Sequence, residues 1–157
     1  MTLLGLLVSL IFPACGASGA HGVPAPTPFN LAHLQRPASP NTALVAPPGA
    51  GPTPDIPAPY FNASPEALYR ALRRVAEATP RTYLQSADDA RHEAHYVARS
   101  AVFNFPDLIT LAVQPDGAGS RPVLYSRSLY GHSDLGVNKK RLQDYLARLP
   151  AALADHP

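Results

Sequence analysis

Leu108-Ile109-Thr110-Leu111-Ala112-Val113-Gln114-Pro115-Asp116-Gly117-Ala118-Gly119-Ser120-Arg121-Pro122-Val123-Leu124-Tyr125-Ser126-Arg127-Ser128-Leu129-Tyr130 is the stretch that decides the fold. Two runs rich in β-formers, Leu108–Val113 and Val123–Tyr130, flank Pro115-Asp116-Gly117, a strong turn signal. A connection this short joins antiparallel neighbours and leaves no room for a crossover helix. Two further strand candidates lie upstream. Arg81–Ser86 is short and ends before the Asp88-Asp89 turn; Glu93–Phe103 carries Tyr96, Val97, Val102 and Phe103. A helix is expected on either side of these four strands. Ser64-Pro65-Glu66 combines a capping hydroxyl, a proline at the first helical position and an acid near the positive helix end. Leu68, Leu72, Val75 and Ala76 follow at helical spacing, and Pro80 closes the run. The last helix is expected from about Val137 to Leu149, with Leu142, Tyr145, Leu146 and Leu149 on one face. The sequence therefore predicts an α+β fold: an antiparallel sheet of about four strands with two helices on one face, preceded by a Pro-rich extended segment.

Composition sets the limits around this core. The chain has 157 residues, 15% charged, with 19 prolines, one cysteine and a formal net charge of +2. That is room for one domain. The near-neutral charge argues against a nucleic-acid partner. A single cysteine excludes an internal disulfide framework and a multi-cysteine zinc site. Leu3 to Phe12 is almost wholly apolar, the right length for the core of an export signal and too short to span a bilayer. It leads into Phe12-Pro13-Ala14-Cys15-Gly16, which resembles the lipobox of bacterial lipoproteins, so Cys15 is the expected lipidation site. Cleavage after Ala20, giving a soluble secreted or periplasmic product, is the alternative. Residues 1–20 are read as the leader, 16–59 as a Pro-rich tether and extended packed segment, and 60–157 as the folded domain. Eleven prolines lie between Val23 and Pro59; each fixes φ and removes a donor, which rules out helix for most of this stretch. Residues 16–30 read as a tether. Residues 31–59, with Phe29, Leu31, Leu34, Leu44, Val45, Ile56, Tyr60 and Phe61 in and around them, are too apolar for a free linker.

The polar loop from Tyr125 to Arg141 carries most of the chemical information. Alternation puts Val123, Tyr125, Arg127 and Leu129 on one face. An inward Arg127 would need a carboxylate, and Asp107 or Asp134 is the expected partner. Arg127, His132, Ser133, Asp134, Asn138, Lys139 and Arg141 are the candidate ligand-binding residues, because they cluster near a helix N-terminus that favours polar and anionic ligands. Gly131, Gly136, Ser39 and Asn41 are the expected structural corner, with Ser133 or Asp134 capping the helix and Asn138 tying the loop to Ser39-Pro40-Asn41. The rival reading is a small hydrolase centred on His132, Ser133 and Asp134, although consecutive residues point apart and a triad needs them to converge. His92, Glu93 and His95 are metal-ligand types, read here as solvated strand residues with His92 facing away from the other two. Asn62-Ala63-Ser64 matches a glycosylation acceptor, but Ser64 is better read as the helix cap.

Arg127-Ser128, Gly131, Ser133-Asp134-Leu135-Gly136-Val137-Asn138 and Arg141 resemble the C-terminal signature of the domain of unknown function 1499 family. Arg36-Pro37-Ala38-Ser39-Pro40-Asn41 resembles its N-terminal motif, and the likeness covers roughly residues 31–149. The family occurs in bacterial envelope proteins and plastid proteins and has no established activity. Members tend to carry an acidic pair where this chain has Pro106-Asp107-Leu108, so only Asp107 remains. The resemblance and the leader together imply an envelope protein anchored to a membrane through lipid. Its expected role is non-enzymatic binding of an envelope protein or a small polar or anionic ligand. No cofactor or metal is expected, and catalytic residues are left unassigned.

Overall fold

The computed structural model describes residues 3–155; Met1 and Thr2 of the leader lie outside them. Helix α1 (Leu3–Ile11) and a 3-10 turn (Pro13–Gly16) lead into an extended strap with one further 3-10 turn at Leu31–His33. Strands β1 (Thr42–Ala46) and β2 (Ile56–Pro57) follow, then α2 (Pro65–Glu77), β3 (Thr82–Asp88), β4 (Glu93–Arg99), β5 (Pro106–Asp116), β6 (Gly119–Ser128) and α3 (Val137–Ala154). The six strands form one sheet in the order β2-β1-β6-β5-β4-β3. Only the β1–β2 pair is parallel among these neighbours.

The fold is α+β, as the patterning predicts, and α2 and α3 pack on one face of the sheet. Two features differ. The sheet has six strands rather than four, because the Pro-rich segment supplies β1 and β2. Thr42 to Ala46 is a proline-free window of small and β-branched residues, and it pairs with β6. β2 is two residues long at the sheet edge, where a proline without an N–H costs no ladder bond. The third helix, α1, comes from the apolar run read above as an export signal.

Period-two alternation divides the sheet into two faces. Ala43, Val45, Ala94, Tyr96, Ile109, Leu111 and Leu124 point toward the helices and pack with Leu68, Leu72, Leu142, Tyr145 and Leu149. Leu44, Ala46, Val123 and Tyr125 point the other way and are covered by Leu31, Phe29 and Leu34 of the strap. Ser64 caps α2 by accepting from Ala67 N at 3.2 Å, a contact of about 1 kcal/mol. α3 runs past Leu149 to Ala154 with Pro150 inside it.

Residues 16–30, the expected tether, lie along the sheet. A Pro-rich chain has carbonyls with no partners of its own, and the domain supplies donors. Arg99 donates to Ala14 O, Gly19 O and His21 O, each at 2.7 Å. Asn104 Nδ2 donates to Cys15 O and Ala17 O, and Gln85 Nε2 to Pro24 O, all at 2.8 Å. Burial lowers the Arg99 pKa from its ordinary value, opposed by the nearby Cys15.

Candidate functional site

The polar corner joins the end of β6 to the start of α3. Asp107, Ile109, Ser126 and Ser128 share the helix-facing side of the sheet, so the Asp107 carboxylate looks toward α3. Arg141, in the second turn of α3, donates to Asp107 Oδ2 at 2.7 Å, to Ser126 Oγ at 3.0 Å and to Asn138 Oδ1 at 2.6 Å. Ser128 Oγ donates to the other carboxylate oxygen at 2.7 Å. Asn138, fully buried, donates to Asn41 O at 3.0 Å and Ser128 Oγ at 3.1 Å, while Ser126 Oγ donates to its Oδ1. Asn41 Nδ2 reaches Gly131 O at 2.7 Å, and Ser39 Oγ donates to Asn41 Oδ1 at 2.9 Å. Seven side chains from four parts of the chain are thus engaged in one network.

The loop itself is a capping device. Asp134 accepts from Gly136 N at 2.9 Å and Asn138 N at 2.8 Å, which meets two orphan donors and places a negative charge at the positive end of α3. Gly136 has φ +80°, a left-handed turn that glycine adopts at no steric cost. Ser133 Oγ accepts from Leu135 N at 3.3 Å. Among the described residues no hydrogen bond joins exposed His132 to Ser133, and both oxygens of Asp134 face backbone donors. The three residues therefore do not converge as nucleophile, base and orienting acid. Lys139 is exposed.

Arg127 departs from expectation. It pairs with neither Asp107, which holds Arg141, nor Asp134, which caps α3. The reason is parity: Asp107 faces the helices, whereas Arg127, like Tyr125, faces the strap. There it lines a cleft of about 330 Å³ between strap and sheet, with Pro24, Phe29, Leu34, Gln85, His95, Leu108, Thr110 and Tyr125 among its walls. Burial pushes the Tyr125 hydroxyl above its ordinary pKa, with Arg127 and Arg36 acting in the opposite direction.

Glu93 and His95 share this face, but they are not the solvated strand residues expected. Glu93 is 5% exposed. It is tolerated because Oε1 accepts from Phe29 N and meets His95 Nε2, both at 2.9 Å, and Arg91 lies 3.3 Å from Oε2. The other ring nitrogen, Nδ1, lies 3.2 Å from Thr110 Oγ1, so both nitrogens of His95 are engaged. Sequence reading missed Gln85, His95 and Thr110 as cleft residues. The signal was the register, because His95 lies opposite Thr110 and Thr110 opposite Tyr125. Cys15 is buried, and burial raises its thiol pKa, opposed by the Arg99 charge. Among the described residues no His, Cys, Asp or Glu cluster could hold a metal, and no helix is long and apolar enough to cross a membrane.

A family model described as "Protein of unknown function (DUF1499)" matches residues 34–149. No curated protein matches the chain. Among solved structures, protein MLL2253 from Mesorhizobium loti is similar at 11% identity, covering 74% of this chain and 98% of that one with a TM-score of 0.51. Ara h 8.0201 is similar at 13% identity over 62% of this chain and 95% of that one, with a TM-score of 0.48. The likeness to MLL2253 concerns fold alone.

Proposed function

The chain belongs to the DUF1499 family of proteins of unknown function, and from that premise we propose that it is a membrane-anchored envelope lipoprotein that binds a small organic anion without transforming it. Cys15 is the point of lipid attachment in this reading, supported by the apolar run before it and the small residues around it. The ligand-binding surface is the cleft between strap and sheet. One observation carries this choice. The buried polar groups of the corner are spent on each other, whereas Arg127 lines a cavity and has no carboxylate partner among the described residues. A cation beside Phe29, Leu34 and Leu108 suits a ligand with an acidic head and an apolar body.

Octanoate is a suitable probe. Calorimetric titration of the purified protein is expected to show binding that Arg127→Ala weakens about tenfold, the worth of one charge-assisted hydrogen bond. Arg127→Lys, which keeps the charge but loses the planar fork, is expected to fall in between. Equal affinity in all three proteins would overturn the cleft assignment. Mass measurement of the N-terminus of membrane-extracted protein tests the anchor: a diacylated or triacylated Cys15 is expected, and an unmodified thiol contradicts it.

A further inference from the structure

One rim of the sheet carries an unusual set of side chains. β4 ends there at Arg99, β5 starts at Pro106 and β6 ends at Ser128, because Arg99 lies opposite Pro106 and Asp107 opposite Ser128. Loop 100–105 and loop 129–136 therefore emerge together. Loop 100–105, Ser-Ala-Val-Phe-Asn-Phe, has no charged residue, and it presents Val102 at 80% exposure with Phe103 half exposed. The second loop presents Leu135 at 94% exposure, and Val137 follows it, half exposed at the start of α3. Leu135 also has φ +55°, a left-handed conformation that is uncommon for a branched side chain. A sequence free to choose would put glycine or asparagine at this position, so the outward leucine calls for a reason beyond the turn. Among the described residues, the exposed large hydrophobic side chains outside this rim and α1 are Tyr60, Tyr83 and Leu84.

Two further observations identify what covers the rim. The residue that carries the proposed lipid is held at it: Asn104 Nδ2 donates to the carbonyls of Cys15 and Ala17, each at 2.8 Å, so acyl chains on Cys15 bring a bilayer to this rim. The rim is also basic. Lys139 and Lys140 are exposed in the first turn of α3, which contains no acidic residue. Cations are disfavoured at that end of a helix dipole, so these two gain nothing from the fold itself. The neighbouring acids are engaged, Asp107 by Arg141 and Asp134 by the backbone of α3.

We propose that this rim is a membrane-docking face. Val102, Phe103, Leu135 and Val137 enter the interfacial region of the bilayer, and Lys139 and Lys140 lie at the level of anionic headgroups. The partner is an anionic phospholipid surface. The anchored domain then sits upright on its rim in a fixed orientation rather than trailing on a flexible tether. The inference rests on the membrane attachment proposed above and goes beyond it.

The test uses the full chain with Cys15→Ser, which carries no acyl group, so its outcome is separate from that of the anchoring test. Flotation is measured with phosphatidylcholine vesicles, with and without phosphatidylglycerol. Helix α1 is present in every protein, so its own contribution cancels. Adding Val102→Ser and Leu135→Ser is expected to lower partitioning about tenfold, with the thermal midpoint unchanged because the two side chains are among the most exposed of the chain's large hydrophobics. Lys139→Glu with Lys140→Glu is expected to remove the preference for phosphatidylglycerol. An environment-sensitive dye attached through Phe103→Cys should shift to the blue on adding vesicles. Undiminished partitioning of the Ser variants, or a dye that reports only water, overturns the proposal.

Discussion

The two faces of this sheet solve the same problem, a polar group beside a core, in opposite ways. On the helix-facing side Asp107, Ser126, Ser128, Asn138 and Arg141 form a closed network with Asn41, and its hydrogen bonds leave little for an outside molecule. On the strap-facing side Arg127 lines a cleft and, among the described residues, pairs with no acid; Glu93 on that face is engaged by Phe29, His95 and Arg91. The two arginines are 14 positions apart in one motif. The contrast teaches that a conspicuous polar run need not be one site. Half of it builds the joint between strand and helix, and one residue, by the parity of β6, serves the other face.

Substitutions that separate these roles can be ranked by expected effect. Arg141→Ala strands the Asp107 carboxylate, which lies at 13% side-chain exposure. A loss of about 3 kcal/mol is expected by chemical denaturation; a loss below about 1 kcal/mol would mean the network is not what joins β5 to α3. Asn138→Ala removes a fully buried amide and leaves Asn41 O and Ser126 Oγ short of a partner, with about 2 kcal/mol expected in the same assay.

Tyr69 gives a pH handle on the helix-facing side. Its hydroxyl donates to Asp89 Oδ1 at 3.0 Å and Glu93 O at 3.1 Å. Burial first, then the bond to Asp89, pushes its pKa from 10.0 up to about 12. The unfolded chain therefore releases this proton before the folded one does. Stability is whole below pH 10 and is lost as pH rises from 10 toward 12. Tyr69→Phe should lessen the fall of the denaturation midpoint across that window, the buried Tyr96, Tyr125 and Tyr145 supplying the rest; an unchanged slope would contradict the assignment. Arg127→Ala sits last in the ranking, with stability within about 0.5 kcal/mol of the parent. A large loss there would place Arg127 with Arg141 as a structural residue and erase the contrast.

Much of this was legible from local pattern. The cap at Ser64 and the helical stripes of α2 and α3 are local signals and appear where the sequence places them, while the turn falls slightly later, at Gly117-Ala118, with Pro115 and Asp116 still paired in β5. Proline content hid β1, because a five-residue strand between Pro40 and Pro47 looks like part of a linker until β6 is there to pair with it. The partner of Asp107 was not legible either. Arg127 and Arg141 are equal candidates by composition, and only the sheet parity and the position of α3 separate them. Glu93 misled for a related reason: its donors come from Phe29 and His95, and the Phe29 contact spans 64 positions of sequence.

The most direct test of the two-face account is a residue-resolved titration. Backbone amide shifts of the isotopically labelled protein are followed by NMR while octanoate is added. The account predicts that His95, Thr110, Tyr125, Arg127 and the strap around Phe29 move together, with Asn138, Arg141 and Asp134 unmoved. Shifts confined to residues 131–141, with the cleft silent, would contradict it.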